Sequence, residues 1–309
     1  MPRKPPADDI TSFQQVLSSA ENIIAVCGAG LSAASGIPTF RGAGGLWRKY
    51  KSTSLATPEA FEANTSRVWQ FYHYRRESAL KAHPNAAHVV LGLLTQASTR
   101  AKYAPKAKSF KIITQNVDGF LLASMHYSQT RRGAGNLIEM HGRIHETTCL
   151  SCGDTRFNTA SPLCPALGGT ELNFDAQSDV QPEVDIPLNE LPRCDKTVVV
   201  DSSVRVCLVW RRYPRLNELD DIVSKADLCL VIGTSSTVSP ASHYAYDVEC
   251  RGGNVAVFNL ERTRGDREAD FLFIGGCEEM LPRAIGIEQE LKSRRCVREG
   301  VRTAVLGLV

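Results

Sequence analysis

A glycine turn after an apolar run is the first feature of this sequence that could bind a ligand. Residues 22–27 read Asn-Ile-Ile-Ala-Val-Cys, and Gly28 and Gly30 follow them. Glycines let backbone N–H groups approach a pyrophosphate, and the start of the next helix favours its negative charge. The third position of the usual dinucleotide pattern is Ala33, and no acidic residue ends a second strand. The turn therefore predicts a phosphate site but fits an ordinary dehydrogenase poorly.

Polar clusters also follow three later apolar runs, which end at residues 114, 232 and 259. Amide and carboxylate groups after the first run suit an amide and ribose hydroxyls, and the hydroxyl groups after the second suit a phosphate or a ribose. Any one cluster alone is compatible with a solvated loop. Four strand ends with such residues predict a binding site. The residues are Gln115, Asn116, Asp118, Gly233, Thr234, Ser235, Asn259 and Glu261.

His141 is a candidate general base. It precedes Gly142 in the run Glu-Met-His-Gly. Histidine changes its charge near neutral pH and can therefore accept a proton during a reaction. A single histidine is more often structural, so this motif by itself leaves both roles open.

The cysteines indicate a metal site in the middle of the chain. Cys149 and Cys152 have the spacing of one half of a zinc ribbon. Cys194 is a third candidate ligand, but no second cysteine follows it within the usual spacing. Cys207 and Cys164 are the candidates for a fourth ligand, and neither is spaced as usual. This region, poor in periodicity, is predicted to be a small module held by metal instead of a large core.

The elements that must position these residues alternate between strand and helix. The alternation predicts an α/β fold with a doubly wound parallel sheet, in which ligands bind at the carboxyl ends of the strands. The polar clusters all fall at such ends. The predicted strands are residues 22–27, 110–114, 228–232 and 255–259. The predicted helices are residues 13–21, 66–81, 86–97 and 216–225.

Charge and hydropathy exclude other classes of protein. The chain has 309 residues with 36 Lys and Arg against 33 Asp and Glu, so its net charge is only +3. This balance predicts no nucleic-acid partner and no membrane-surface partner. The apolar runs are too short to span a bilayer. The N-terminal residues lack the apolar core of a signal peptide and the Arg-rich character of a strong transit peptide.

Six motifs occur together in an order that resembles one family. Over roughly residues 10–285 the chain resembles the sirtuins, which are NAD-dependent protein lysine deacylases. The motifs are GAGLSAASGIPTFRG (28–42), TQNVDG (114–119), EMHG (139–142), CLSC (149–152), GTSS (233–236) and FNLE (258–261).

The resemblance implies two domains with an acyl-lysine channel between them. A discontinuous Rossmann-like NAD-binding domain would comprise residues 10–145 and 214–288. A small zinc-binding module would comprise residues 146–213. The tail, residues 289–309, stays unassigned.

The resemblance also implies a reaction and a set of site residues. The amide oxygen of the acyl-lysine would attack C1′ of the nicotinamide ribose and expel nicotinamide. His141 would deprotonate a ribose hydroxyl so that the acyl group can migrate, with Asn116 as the second catalytic residue. Hydrolysis by water would then give free lysine and O-acyl-ADP-ribose. The implied NAD-binding residues are Gly28, Ala29, Gly30, Ser32, Phe40, Arg41, Gln115, Asn116, Asp118, Gly233, Thr234, Ser235, Asn259, Glu261 and Cys277.

One helix motif resembles a branch of the family. The run Phe-Tyr-His-Tyr-Arg-Arg at residues 71–76 is similar to the Tyr-x-x-Arg signature of class III sirtuins, with Tyr72 and Arg75 as the pair. Positions i and i+3 of a helix share a face, and a guanidinium binds a carboxylate through a charged fork. The resemblance implies succinyl-, malonyl- and glutaryl-lysine proteins as substrates. It also implies a mitochondrial location, with cytoplasm and nucleus as alternatives.

Two stretches depart from the family's pattern. Residues 197–213 lack a cysteine at the family's usual fourth position and the Phe-Gly-Glu clamp for the substrate backbone. Cys207 or Cys164 would therefore have to supply the fourth zinc ligand. Phe120 to Arg132 is longer than usual and is expected to be an inserted loop. Two other functions therefore stay open: an NAD-dependent ADP-ribosyltransferase, and an NAD-binding protein without activity. NAD binding without nicotinamide release would identify the second.

Overall fold

The computed structural model describes most of the chain and divides it into two compact units. The first unit comprises residues 1–35, 83–140 and 213–309, and the second comprises residues 36–82 and 141–212. The domain boundaries expected from the sequence stay a prediction. The two compact units differ from those expected boundaries, because residues 36–82 belong to the second unit. The described residues are 5–42, 45–127, 135–171, 184–194, 207–208 and 216–293.

Short strands make up the sheets of both units. In the described part of the chain they are β1 (Asn22–Cys27), β2 (Leu46–Trp47), β3 (Tyr50–Lys51), β4 (Ser109–Thr114), β5 (Leu137–Glu139), β6 (Glu146–Cys149), β7 (Thr155–Phe157), β8 (Cys207–Leu208), β9 (Leu228–Ile232), β10 (Asn254–Asn259) and β11 (Phe271–Ile274).

Helices alternate with these strands. Within the described ranges they are α1 (Ile10–Ser19), α2 (Ser52–Leu55), α3 (Pro58–Ala63), α4 (Thr65–Lys81), α5 (Ala86–Leu94), α6 (Ala97–Tyr103), α7 (Phe120–Tyr127), α8 (Leu216–Lys225), α9 (Tyr244–Cys250), α10 (Cys277–Ile285) and α11 (Glu288–Ser293). None of the helices in these ranges combines the length and apolar character needed to cross a membrane.

The first unit is built on a six-stranded sheet in the order β11-β10-β9-β1-β4-β5. Every neighbouring pair in it is parallel. The predicted α/β fold with a parallel sheet is therefore confirmed, and its four predicted strands are present. The sequence reasoning missed the two edge strands, β5 and β11.

Both faces of this sheet are buried, which explains the continuous apolar runs of its strands. Successive side chains of a strand point to opposite faces. Ile23 and Ala25 of β1 join a core with apolar residues of α1, α5 and α10. Ile24 and Val26 join a second core with apolar residues of α8 and α9. Each polar strand end therefore extends from a strand that is mostly buried.

Two of the sequence expectations for helices need correction. The helix predicted for residues 86–97 ends at Leu94. The Thr95 and Gln96 N–H groups donate to the carbonyls three residues back, at 3.3 and 2.9 Å, so the helical pattern stops there, and α6 begins at Ala97. The expected loop insertion at Phe120 begins as helix α7. Its first turn is fixed by Asp118, whose carboxylate accepts the Phe120 N–H at 2.9 Å.

The second unit combines helix α4 with two small antiparallel sheets. One is the β2–β3 hairpin, and the other has the order β7-β6-β8. Asn64 caps the N-terminus of helix α4, because its side chain accepts the Arg67 N–H at 2.7 Å. The three-stranded sheet carries the Cys149–Cys152 segment, so it corresponds to the predicted small module.

Candidate active site

Two glycine turns of the first unit pack directly against each other. The Gly28 N–H donates to the Ile232 carbonyl at 2.9 Å, and the Gly30 N–H donates to the Gly233 carbonyl at 2.7 Å. A Cβ on Gly28 would lie 2.6 Å from the Thr234 Cβ, and one on Gly30 would lie 2.8 Å from the Gly233 Cα. The glycines are therefore required for close packing. Their own N–H groups are already hydrogen-bonded within the protein.

Ser32 lies at the centre of a buried polar cluster behind this turn. Its hydroxyl donates to Oδ2 of Asp118 at 2.7 Å. The Asn116 amide nitrogen donates to the Ser32 hydroxyl at 3.2 Å and to the Gly28 carbonyl at 2.9 Å. An amide nitrogen has only two hydrogens, so both are used here. The cluster joins the carboxyl ends of β1 and β4, as the sequence predicted for these two strand ends.

His88 completes this cluster, and the sequence reasoning missed it. Its Nε2 lies 3.1 Å from the Ser32 hydroxyl, and its Nδ1 accepts the Asn85 N–H at 3.2 Å. Because Ser32 gives its one hydrogen to a carboxylate, its hydroxyl can only accept from Nε2, so a hydrogen bond between the two requires the ring proton on Nε2. Burial lowers the pKa of His88 to about 3, so the ring is neutral. The available signal was Asn85 before an apolar helical run, since asparagine is a preferred N-cap and here forms a capping box with His88.

The strand ends of β4, β9 and β10 converge on Thr234. Gln115 donates through Nε2 to the Thr234 hydroxyl at 3.2 Å, and Asn259 donates through Nδ2 to the Thr234 carbonyl at 3.1 Å. Cys277, at the start of α10, is buried, and its thiol lies 3.6 Å from the Phe258 carbonyl. These predicted residues are thus brought together in the first unit.

The remaining predicted residues of the first unit lie at its surface. Glu261 is exposed, and Ala29 and Ser235 are half-buried. The Ser235 hydroxyl lies 3.0 Å from that of Thr237. Their part in binding a ligand stays a prediction.

Tyr72 and Arg75 of the second unit are both buried on α4, at 6% and 5% exposure. Burial raises the pKa of the Tyr72 phenol well above its usual value, and the nearby Arg75 charge opposes that shift only in part. The Arg75 guanidinium donates through Nη2 to the Pro38 carbonyl at 2.9 Å. It also lies 4.0 Å from the centre of the Phe40 ring. A phenol and a guanidinium therefore share one side of this helix in a buried setting.

Buried polar contacts within the second unit hold α4 in place. Arg76 is fully buried and donates to the Ile144 carbonyl at 2.7 Å and to the Asn158 carbonyl at 2.9 Å. Burial lowers the pKa of Arg76 to about 10, so its guanidinium stays charged at neutral pH. His73 lies 2.8 Å from a carboxylate oxygen of Glu171. These contacts fix the helix that carries Tyr72 and Arg75.

Phe40, Arg41 and His141 also belong to the second unit. Phe40 is half-buried, and Arg41 is exposed. His141 is half-buried and begins the second segment of this unit. Gly142 follows it with a φ of 77°, a left-handed conformation that favours glycine. The assignment of His141 as the general base stays a prediction.

Three of the predicted metal ligands lie together in the second unit. The Sγ atoms of Cys149, Cys152 and Cys194 all lie within 4.8 Å of one another, and those of Cys152 and Cys194 are 3.7 Å apart. Thiolates about 2.3 Å from a tetrahedral zinc ion are about 3.8 Å apart, so the donor set fits zinc. Cys207 pairs with Cys149 in the β6–β8 ladder. Its side chain lies outside the described residues, and its role stays a prediction.

Comparison with known proteins decides the family. A model of the Sir2 family matches residues 28–240. The chain belongs to the Sir2 family. Its glycine turn, its Ser32 cluster, and His141 all fall inside the matched range.

Relatives and solved structures in the Sir2 family cover nearly the whole chain. The NAD-dependent protein deacylase sirtuin-5, mitochondrial, of Xenopus tropicalis is 41% identical over 91% of this chain and 86% of its own length. A Sir2 homologue solved as an NAD complex has a TM-score of 0.68 at 27% identity and covers 94% of this chain and 97% of its own. A mutant homologue in complex with 2′-O-acetyl ADP ribose has a TM-score of 0.67 at 28% identity, covering 92% and 98%.

Proposed function

We propose that this protein is an NAD-dependent protein lysine deacylase whose preferred acyl groups end in a carboxylate. Succinyl-, malonyl- and glutaryl-lysine are the expected substrates, and acetyl-lysine is expected to react weakly. The family, together with a relative named as a deacylase, supports the general activity. That relative is also named as mitochondrial, and we infer the same compartment for this chain.

The buried pair on α4 carries the acyl preference. Tyr72 and Arg75 are three residues apart on one helix, and both are almost fully buried. A charge-assisted hydrogen bond to a buried guanidinium contributes about 1.5–3 kcal/mol, which corresponds to roughly 10- to 100-fold in binding. An acetyl group has no carboxylate and cannot make this bond. The pair therefore favours acyl groups with a terminal acid.

The buried cluster of the first unit supports NAD as the co-substrate. When bound, NAD supplies the ribosyl–nicotinamide bond whose cleavage drives acyl transfer. Both hydrogens of the Asn116 amide nitrogen are donated within the protein, so a ligand contact would use its Oδ1. Gln115 and Asn259 are fixed by Thr234 and orient the strand ends. His141 would accept the proton of a ribose hydroxyl.

A structural zinc ion is part of the proposal. Cys149, Cys152 and Cys194 would hold it, with Cys207 as the fourth ligand. Burial raises the pKa of Cys149, but hydrogen bonds from the backbone N–H groups of Cys152 and Ser151 act in the opposite direction, and the net shift is downward. Zinc in such a set of thiolates stabilises a small module that lacks a large core.

The test uses the full chain, NAD and matched peptides that carry succinyl-lysine or acetyl-lysine. We expect succinyl loss to exceed acetyl loss in kcat/KM. In Arg75→Met the succinyl rate falls about 10- to 100-fold. Arg67→Met is the matched control, because Arg67 lies on the same helix and stacks on Tyr50 at 4.4 Å, outside the predicted site. Equal rates on both peptides in the wild type would refute the acyl preference.

A further inference from the structure

Arg75 contacts the segment that is predicted to lie over NAD. Its guanidinium donates to the Pro38 carbonyl at 2.9 Å and lies 4.0 Å from the centre of the Phe40 ring. Pro38 and Phe40 belong to the glycine-rich motif at residues 28–42, and Phe40 is one of the predicted NAD-binding residues. All of these contacts lie within the second unit. One side chain therefore serves the proposed acyl site and also contacts the predicted NAD segment.

Phe40 contacts side chains on two successive turns of α4. Its ring meets Phe71 edge-on, with centroids 6.4 Å apart and planes at 75°. Arg75 follows Phe71 by one helical turn, and its guanidinium lies 5.8 Å from the Phe71 ring centre. Two contacts to the segment at residues 38–40 depend on the guanidinium: the stacking on Phe40 and the hydrogen bond to the Pro38 carbonyl. Pro38 and Phe40 are both half-buried.

We propose that Arg75 is a positioning residue for the NAD-binding segment and thereby couples acyl recognition to NAD binding. The proposal rests on the proposed function, because it takes Phe40 as an NAD-binding residue and Arg75 as an acyl-binding residue. A carboxylate that pairs with Arg75 immobilises the guanidinium, and the immobilised guanidinium holds Pro38 and Phe40 in place. A succinyl substrate and NAD therefore bind with positive coupling, and the coupling is reciprocal.

The first measurement needs no turnover. Binding of carba-NAD, a non-cleavable analogue, is measured by calorimetry on the full chain without peptide. We expect Arg75→Met to weaken binding about 3- to 10-fold, as the loss of a cation–π contact and a charge-assisted bond implies. Arg67→Met, which removes a guanidinium stacked on Tyr50 at 4.4 Å on the same helix, is the control and leaves binding unchanged.

A double-mutant cycle isolates the contact between Arg75 and Phe40. Phe40→Leu weakens carba-NAD binding by itself. In that background, Arg75→Met is expected to weaken it by at most about 2-fold more, because the stacking partner is already gone. If the fold-changes of the two substitutions multiply, Arg75 does not act through Phe40, and the proposal is overturned. Hydrogen exchange of residues 38–42 without ligand adds a second readout and is expected to be faster in Arg75→Met.

The acyl group provides the last measurement. A succinyl-lysine peptide is expected to tighten carba-NAD binding about 3- to 10-fold more than an acetyl-lysine peptide does, and this difference disappears in Arg75→Met. With the acetyl peptide as substrate, Arg75→Met is expected to raise the KM for NAD. Equal tightening by both peptides would overturn the coupling.

The outcomes separate this proposal from the proposed function. If Arg75→Met abolishes the succinyl preference but binds carba-NAD like the wild type, the positioning role is wrong and the proposed function stands. If Arg75→Met weakens carba-NAD binding but the wild type shows no succinyl preference, the acyl specificity is wrong and the positioning role stands.

Discussion

Replacing His88 by glutamine removes a buried ionisable group next to the proposed NAD site. His88 is fully buried, and its neutral ring joins the capping residue Asn85 to Ser32. Glutamine retains an amide donor that can reach the Ser32 hydroxyl, but it cannot take up a proton. The variant therefore changes how the stability of the protein depends on pH.

The size of this change follows from the pKa of His88. Burial lowers that pKa from 6.5 to about 3 in the folded protein. Between these two values only the unfolded chain takes up the proton, so the free energy of unfolding decreases as the pH falls through this window. At about pH 5.5 the loss relative to neutral pH is about 1.4 kcal/mol for this one group. Near pH 7.5 the loss is negligible.

Urea unfolding followed by circular dichroism at about pH 7.5 and about pH 5.5 measures this loss. The wild type is expected to lose about 1.4 kcal/mol more than His88→Gln between the two pH values. The pKa of His145 is also lowered, by burial and by the charge of Arg76, but His145 contributes equally to both proteins and cancels in the comparison.

His83→Gln is the matched control, because this nearby histidine is exposed. It is expected to keep the wild-type loss. If His88→Gln also keeps that loss, burial does not hold the ring neutral in the folded protein.

Three further changes test the glycine turn, the buried Arg76 and the proposed zinc site. Gly28→Ala places a Cβ 2.6 Å from the next turn and should weaken NAD binding by about 10-fold or more, whereas Gly135→Ala, whose Cβ meets nothing within 4 Å, leaves it unchanged. Wild-type binding in Gly28→Ala would contradict the close packing. Arg76→Met leaves two backbone carbonyls without their donor and should cost about 3 kcal/mol of stability, measured by thermal unfolding followed by tryptophan fluorescence. An unchanged melting temperature would show that these bonds are dispensable. Cys207→Ser should lower bound zinc measured by metal analysis, and Cys164→Ser should not; the reverse result would assign the fourth ligand to Cys164.

The parallel sheet was predictable because its inner strands are buried on both faces. Runs such as residues 228–232 are apolar throughout, and each is a strand in the structure. Strand β5 has only three residues, Leu137–Glu139, and gives no comparable signal. The order of the motifs also identified Ser32, Asn116 and Asp118 as site residues before any contact was known, but not His88.

Contacts between distant parts of the chain could not be predicted. Arg76 is buried because its donors meet the carbonyls of Ile144 and Asn158, which are far along the chain. The grouping of residues 36–82 with the second unit depends on contacts of the same kind. The glycine turn was interpreted as a source of N–H groups for phosphate, yet the N–H groups of Gly28 and Gly30 bind protein carbonyls.

The most direct test of the proposed activity is the mass of the products formed from NAD and a succinyl-lysine peptide. We predict one nicotinamide and one O-succinyl-ADP-ribose for each lysine that is freed. ADP-ribose attached to protein, with the peptide still succinylated, would identify a transferase and contradict the account. Bound NAD without any nicotinamide release would contradict it as well and would indicate an NAD-binding protein without activity.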